Sequence, residues 1–415
     1  MVGSIIRLFV LLFVGNLRGA RMLCVVIFIL GIGPWTEVVD IGLCREKLTW
    51  VMSILTVILL IYCVRGKSKM LELWVLTLVC CIFFFTNSGV MFYFSYEAIL
   101  LPVVWLLLKR GREPERLISA IYMVGYTFVG TLPILMCGLN LISAERTQRI
   151  RLLGLRSCSV WVFIIISLTF IVKLPLWGVH RWLPLAHVYS PIVGRIILAG
   201  IILKAGVYGL HLTFRRIPCR RWILFVVGSL GVVGSALCFY SGTKQSDLKA
   251  IIAFRRIIHM GVCLPILAEG SAACQAGVIS MIVGHGIARP VLFRVATRLG
   301  GRFNSRMVSY VKMVPSISFA IISVVVVSLS FNAGFPPTLN FIAEVLGLVC
   351  CWKLSVLYTL VFSVVFVVGG LYGIYIWISV QNPRKWIGLR CIPAWKDIWA
   401  LILLAIISAR WPLFI

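Results

Sequence analysis

The stretch Phe170–Leu210, FIVKLPLWGVHRWLPLAHVYSPIVGRIILAGIILKAGVYGL, decides how the whole chain is read. It sets Lys173 and Lys204 inside runs apolar enough to lie in lipid, where a charged side chain at a helix centre costs about 2.5 to 3.5 kcal/mol on insertion scales. Pro175, Pro184 and Pro191 fall between them, together with His180 and His187. Each proline lacks an amide donor, so an apolar span is broken midway and its freed backbone groups need protein or water partners. A broken span carrying a cation reads as an ion pathway.

Composition extends this outward. Of 415 residues, 61% are hydrophobic and only 13% charged, and the mean hydropathy is +1.06. Both an ordinary soluble globule and a disordered chain are excluded. Apolar runs recur near residues 4–15, 22–34, 48–64, 71–88, 90–108, 117–142, 159–178 and 192–212. Others follow near 222–241, 248–268, 272–297, 315–333, 339–352, 355–380 and 396–413. They amount to about 13 to 15 helical spans of an all-α polytopic membrane protein. The short alternating segments of a membrane barrel are not present.

The formal charge of +28 would point to nucleic acid in a soluble protein. Here most Lys and Arg fall between apolar runs, as in RGKSK from Arg65 and RRIPCRR from Arg215, so the charge is topological and no nucleic-acid partner is expected. Contact with the lipid bilayer is expected instead. Fourteen cysteines show no C-x-x-C spacing and read as small hydrophobes, not as a metal or disulfide framework. The first run, Ile5 to Val14, lacks a small-residue cleavage site and reads as an uncleaved helix. No phosphate-binding G-x-x-x-x-G-K-[ST], zincin H-E-x-x-H or G-x-S-x-G motif occurs. Gly228, Gly231 and Gly234 lie in an apolar run and predict close helix packing, not a dinucleotide loop.

Most carboxylates sit at run ends, but Glu97, in MFYFSYEAILLPVVW, and Glu344, in LNFIAEVLGLVCC, lie inside. Lys173 is the expected partner of Glu97. The run SLSFNAGFPPTLNFIAEVLG echoes the opening stretch, with Pro336 and Pro337 breaking a span ahead of Glu344. Two interrupted helices, one in each half, are the sequence sign of inverted repeats. The expected organisation is an N-terminal set of helices over 1–89, a core over 90–352 with repeats near 90–215 and 222–352, and C-terminal helices over 353–415. His259 and His285 lie within spans, where a near-neutral side chain suits proton passage. For His180 and His187, a structural role at the helix break weighs equally. Buried ion pairs that fix helix register are the plain alternative for the four charged residues, yet four of them on separate spans favour a relay.

Several runs together carry a resemblance. SYEAILLPVVWLL, GREPERLISAIYMVGYTFVGTLPIL, FIVKLPLWGVHRWLPLAHVYSPIVG, LKAGVYGL, QSDLKAIIAFRRIIHM, MIVGHGIARPVLF and FPPTLNFIAE resemble, in order and spacing over roughly 90–350, the chain 4 family of mitochondrial NADH:ubiquinone oxidoreductase. The resemblance implies a bundle of 14 transmembrane helices, like an antiporter, in the membrane arm of respiratory complex I in the mitochondrial inner membrane. Its partners would be the other membrane-arm subunits. NADH and ubiquinone would be used by the whole complex, with no cofactor or metal bound by this chain. Residue by residue it implies a proton relay of Glu97, Lys173, Lys204, His259, His285 and Glu344. A cation/proton antiporter subunit or related secondary transporter is the alternative on the same bundle.

The chain departs from the family in two places. After the second histidine of H-x-W-L-P-x-A-H the family usually has V-E-A-P, whereas this chain has Tyr189 and Ser190 between Val188 and Pro191 and so lacks that carboxylate. Arg195, Arg255, Arg256 and Arg289 stand in apolar spans where the family commonly has Ser. The expectation is that AGA or AGG codons, read as Ser in some mitochondrial codes, underlie these four; an excess of 28 Arg over 12 Lys fits it.

Overall fold

Away from water a backbone must satisfy its own N–H and C=O groups, and a run apolar on every face does so as a helix. The computed structural model describes residues 47–63, 70–111, 114–145, 160–216, 221–302 and 319–381, with single positions at 307, 398, 402 and 405. The expected runs near 4–15, 22–34 and 396–413 lie essentially outside the described residues, as does most of the 1–89 segment before Lys47. Among the described residues every extended element is helical.

In chain order these are α1 (Lys47–Cys63), α2 (Met70–Phe85), α3 (Gly89–Ala98), α4 (Leu100–Arg110) and α5 (Arg116–Glu145). Then come α6 (Val160–Lys173), α7 (Trp182–Tyr189), α8 (Ile192–Ile197), a π-turn (Leu198–Ile202) and α9 (Leu203–Arg216). The second half holds α10 (Arg221–Thr243), α11 (Leu248–Glu269), α12 (Ala272–Arg302), α13 (Phe319–Ala333), α14 (Leu339–Leu354) and α15 (Val356–Gln381). Six described helices are long and apolar enough to cross a membrane, among them the continuous α3–α4 and α8–α9 segments. Five shorter apolar helices accompany them.

The helices differ in what surrounds them. The α8–α9 span and α11 are each 94% buried along their most apolar window, whereas that of α5 is only 22% buried. α5 presents Ile121, Val129 and Met136 outward, which in a bilayer is the lipid-facing side. Lys204, Arg256, His285 and Arg289 are fully buried on the inner helices α9, α11 and α12.

Both expected helix breaks are present. α6 ends at Lys173, the chain turns through Gly178 at φ +98°, and α7 begins at Trp182. Trp182 Nε1 donates to the carbonyl of Val172 at 3.2 Å, closing one of the carbonyls that the break frees. The second break follows Ala333, passes Gly334 at φ +72°, and enters α14 through the N-cap Thr338, whose hydroxyl oxygen accepts from the Phe341 amide. Asn340 Nδ2 donates back across this break to the Phe331 carbonyl at 2.5 Å.

Small residues bring the inner helices together. A Cβ on Gly231 of α10 would lie 2.5 Å from the Gly261 carbonyl of α11, and one on Gly228 would touch Pro265. The glycine run in α10 is thus a packing face, as its position in an apolar run implies. The cysteines correct one expectation. Cys274, at the start of α12, is bonded to Cys350 in α14, although Cys63, Cys80, Cys238, Cys263 and Cys351 are free and buried as the composition implies. A separation of 76 residues carries no pairing signal; only the fold places the two side by side.

Two outcomes follow. Gly231→Val forces α10 and α11 apart and should lower stability by about 1–3 kcal/mol, read as a drop in the thermal midpoint in detergent. Cys274 and Cys350 should accept a maleimide label under denaturing conditions only after reduction, as seen by peptide mass.

Candidate functional site

Lys173 closes the last turn of α6, and its side chain is 2% exposed. Its Nζ donates to the Tyr96 carbonyl at 2.8 Å, lies 3.5 Å from Glu97 Oε1 and sits 3.2 Å above the Tyr96 ring centre. Two successive residues of α3 thus supply a carbonyl, a ring face and a countercharge to one ammonium. Sequence reasoning names Glu97 and passes over Tyr96, whose adjacency to the carboxylate is the only available signal.

An aromatic wall shields Lys173 from water, while the Glu97 side chain stays 24% exposed. Tyr96 meets Phe170 edge-on at 5.4 Å and Phe83 at 5.6 Å, while Tyr208 donates to the Phe84 carbonyl at 3.2 Å. Four helices, α2, α3, α6 and α9, are joined there. The approach of α9 to α6 depends on Gly209, where a side chain would overlap the Phe170 ring.

Lys204 is the second residue after the five-residue π-turn and is fully buried. Its Nζ donates to the Ala199 carbonyl, inside that turn, at 2.5 Å. The wider π register disturbs the regular backbone pairing and leaves carbonyl capacity for a side chain, a local irregularity often found at functional sites.

The third group assembles beside the second break. His259 Nδ1 of α11 lies 3.2 Å from Glu344 Oε1 of α14, and its ring meets that of His285 of α12 edge-on at 4.6 Å. His285 is fully buried and neither ring nitrogen has a hydrogen-bond partner. A cavity lined by His259, Glu344, Arg255, Phe362 and Gly369 opens alongside, roomy enough for water. Gly334, which nothing in the sequence singles out, sits against this carboxylate: a Cβ there would overlap Glu344, so this position needs both a positive φ and an absent side chain.

All six expected residues are therefore placed, in three groups. Glu97 pairs with Lys173, His259 and His285 join Glu344, and Lys204 stands alone with its carbonyl, within electrostatic range of His187 and His285. His187 is buried, stacked on Phe293 at 4.9 Å and in contact with Arg256. His180 lies in the first break, stacked on Trp177 at 4.9 Å. His211 is buried in the second half of α9.

These features define a class: a helical membrane protein carrying ionisable side chains through its apolar centre, with a lysine–carboxylate pair at one interrupted helix and a histidine–carboxylate contact at the other. Residues 86–369 match the profile of the family described as NADH:quinone oxidoreductase/Mrp antiporter, TM, and the chain belongs to that family. It is 29% identical to NADH-ubiquinone oxidoreductase chain 4 of Rhipicephalus sanguineus over 77% of this chain and 74% of the other. It is 32% identical to the chain 4 of Ceratitis capitata over 72% of this chain and 68% of the other. A chain of respiratory complex I from Thermus thermophilus superposes with a TM-score of 0.80 at 19% identity, covering 98% of this chain and 92% of the other, which establishes the shared fold.

Gly334→Ala should displace the Glu344 carboxylate and impose strain of about 1–3 kcal/mol. The expected readouts are a lower thermal midpoint and altered labelling of Glu344 by a hydrophobic carbodiimide.

Proposed function

We propose that this chain is the chain 4-type membrane subunit of respiratory complex I, and that it moves protons while electrons pass from NADH to ubiquinone in other subunits. Its place would be the mitochondrial inner membrane, a reading supported by the animal homologues named as chain 4. The complete bundle has about 14 spanning helices, the number left once the runs outside the described residues are added. Residues 90–215 and 222–352 form the two inverted repeats, flanked by the helices of 1–89 and 353–415. No cofactor or metal is held by the chain, and its partners are the neighbouring membrane-arm subunits and the bilayer.

The observation that carries this reading is the spacing of the three ionisable groups: an ion pair at one helix break, a buried lysine at a π-turn, and a histidine–carboxylate contact at the other break. The coupling is electrostatic. With Glu97 close, the charge of Lys173 is compensated; with Glu97 drawn away, its field is unscreened in a low-dielectric interior and repels a proton on Lys204. His285, with two unpartnered nitrogens, and His259, in contact with Glu344, offer the next acceptors. The cavity beside Glu344 provides the wet end of the path.

Lys204→Ala or Glu344→Gln in an assembled complex should reduce protons moved per NADH oxidised at least tenfold through this subunit, a barrier change of about 1.4 kcal/mol or more. Unchanged pumping would remove the relay. The same bundle also suits a cation/proton antiporter, as the family description spans both. Copurification with NADH-oxidising subunits and rotenone-sensitive NADH oxidation are expected here; their absence, with exchange driven by a cation gradient, would favour the antiporter.

A further inference from the structure

Among the described residues two sets of arginine contrast. Arg110, at the end of α4, meets the Glu72 carboxylate through two hydrogen bonds of 3.1 and 2.7 Å. Arg195 in α8, Arg256 in α11 and Arg289 in α12 lie in the most deeply buried helices and form no ion pair. Arg256 and Arg289 are fully buried. Arg256 touches His187 through Nη1, while its Nε and Nη2 have no hydrogen-bond partner. Arg289 reaches only the Arg255 carbonyl at 3.5 Å, and its Nε and Nη1 are unpartnered. Arg195 reaches the Val188 carbonyl at 3.3 Å, again with Nε and Nη1 unpartnered. A guanidinium carries five N–H donors and keeps its charge in proteins, so it cannot settle these sites by losing a proton.

The position of these cations compounds the misfit. Arg256 and Arg289 lie within electrostatic range of Lys204, and both act also on His285. Two permanent charges here would occupy the line along which a mobile proton has to travel, with Glu344 as the nearby countercharge of Arg289, and Arg195 adds a third beside His187. Arg255 was expected to belong with them, but its guanidinium bonds to the Gly369 carbonyl at 2.8 Å, so geometry does not single it out.

We infer that positions 195, 256 and 289 are serine in the protein as its own ribosomes make it, specified by AGA or AGG codons that a mitochondrial decoding system reads as serine. Serine is the residue that shares the AGN codon box with arginine, and it fits the helices without help. Its hydroxyl donates to a carbonyl one turn back, as buried Ser53, Ser235, Ser280 and Ser328 do at 2.7 to 2.9 Å. Three such hydroxyls replace fixed charge beside His187, Lys204 and His285 with neutral groups that can also bind water. The inference rests on the mitochondrial reading proposed above.

The test is the intact complex purified from its source, digested with chymotrypsin or trypsin and sequenced by mass. Peptides covering positions 195, 256 and 289 should be lighter than the arginine forms by the arginine–serine difference at each position. Trypsin should cut after Arg110 and Arg116 but not after positions 195 and 256, while position 289, which precedes Pro290 and would resist trypsin as arginine too, is read by mass; the gene should carry AGA or AGG at all three. Arginine masses at the three positions, tryptic ends at 195 or 256, or CGN codons overturn the inference. NADH oxidation by the same preparation separates the two readings. Arginine masses in an active complex overturn the serine assignment alone, whereas serine masses in a preparation without that activity uphold it and overturn the complex I reading.

Discussion

One buried ammonium organises the first half of the molecule. Lys173 has left water at the last turn of a helix, and its charge is tolerated because α3 brings a carbonyl, an aromatic face and Glu97 to the same point. That geometry requires α2, α3, α6 and α9 to meet through the cluster of Phe83, Tyr96, Phe170 and Tyr208. It requires glycine at 209, where α9 crosses Phe170. Packing and electrostatics are inseparable here: the rings that hold the helices together are those that keep the dielectric low around Lys173.

The two interrupted helices are closed by related means. In each, a side chain just beyond the break reaches back to a carbonyl just before it, Trp182 to Val172 and Asn340 to Phe331. A glycine at positive φ turns the chain in both, at 178 and 334. Backbone groups freed in an apolar interior are thereby satisfied from within the chain, which is the condition for a non-helical segment to exist at such depth. What differs is the charge beside each break, an ammonium on α6 and a carboxylate on α14. A field running from one to the other has direction, and a proton path needs that asymmetry.

Between the breaks the site is polar but sparsely bonded. Lys204 holds one carbonyl, and His285 holds nothing through either ring nitrogen. Groups this exposed to one another and this poorly satisfied suit transient protons and water better than fixed structure. The disulfide between Cys274 and Cys350 ties α12, which carries His285, to α14, which carries Glu344, and so limits how far those two groups can separate.

The sequence by itself determined that the chain is a bundle of apolar helices, where two of them break, and which charges are buried, because a charge or a proline inside a lipid-like run is legible from residue type alone. It also named Glu97 as the partner of Lys173, since an opposite charge at similar depth is the cheapest compensation. The tertiary structure alone decided the rest. Tyr96, Gly334 and Asn340 act through positions next to a charge or a break, and nothing in their residue type announces it. The Cys274–Cys350 bond and the meeting of His259, His285 and Glu344 join segments far apart in the chain. Which helix faces which is set by the summed packing of small residues and rings across the bundle, and that is a property of no local stretch.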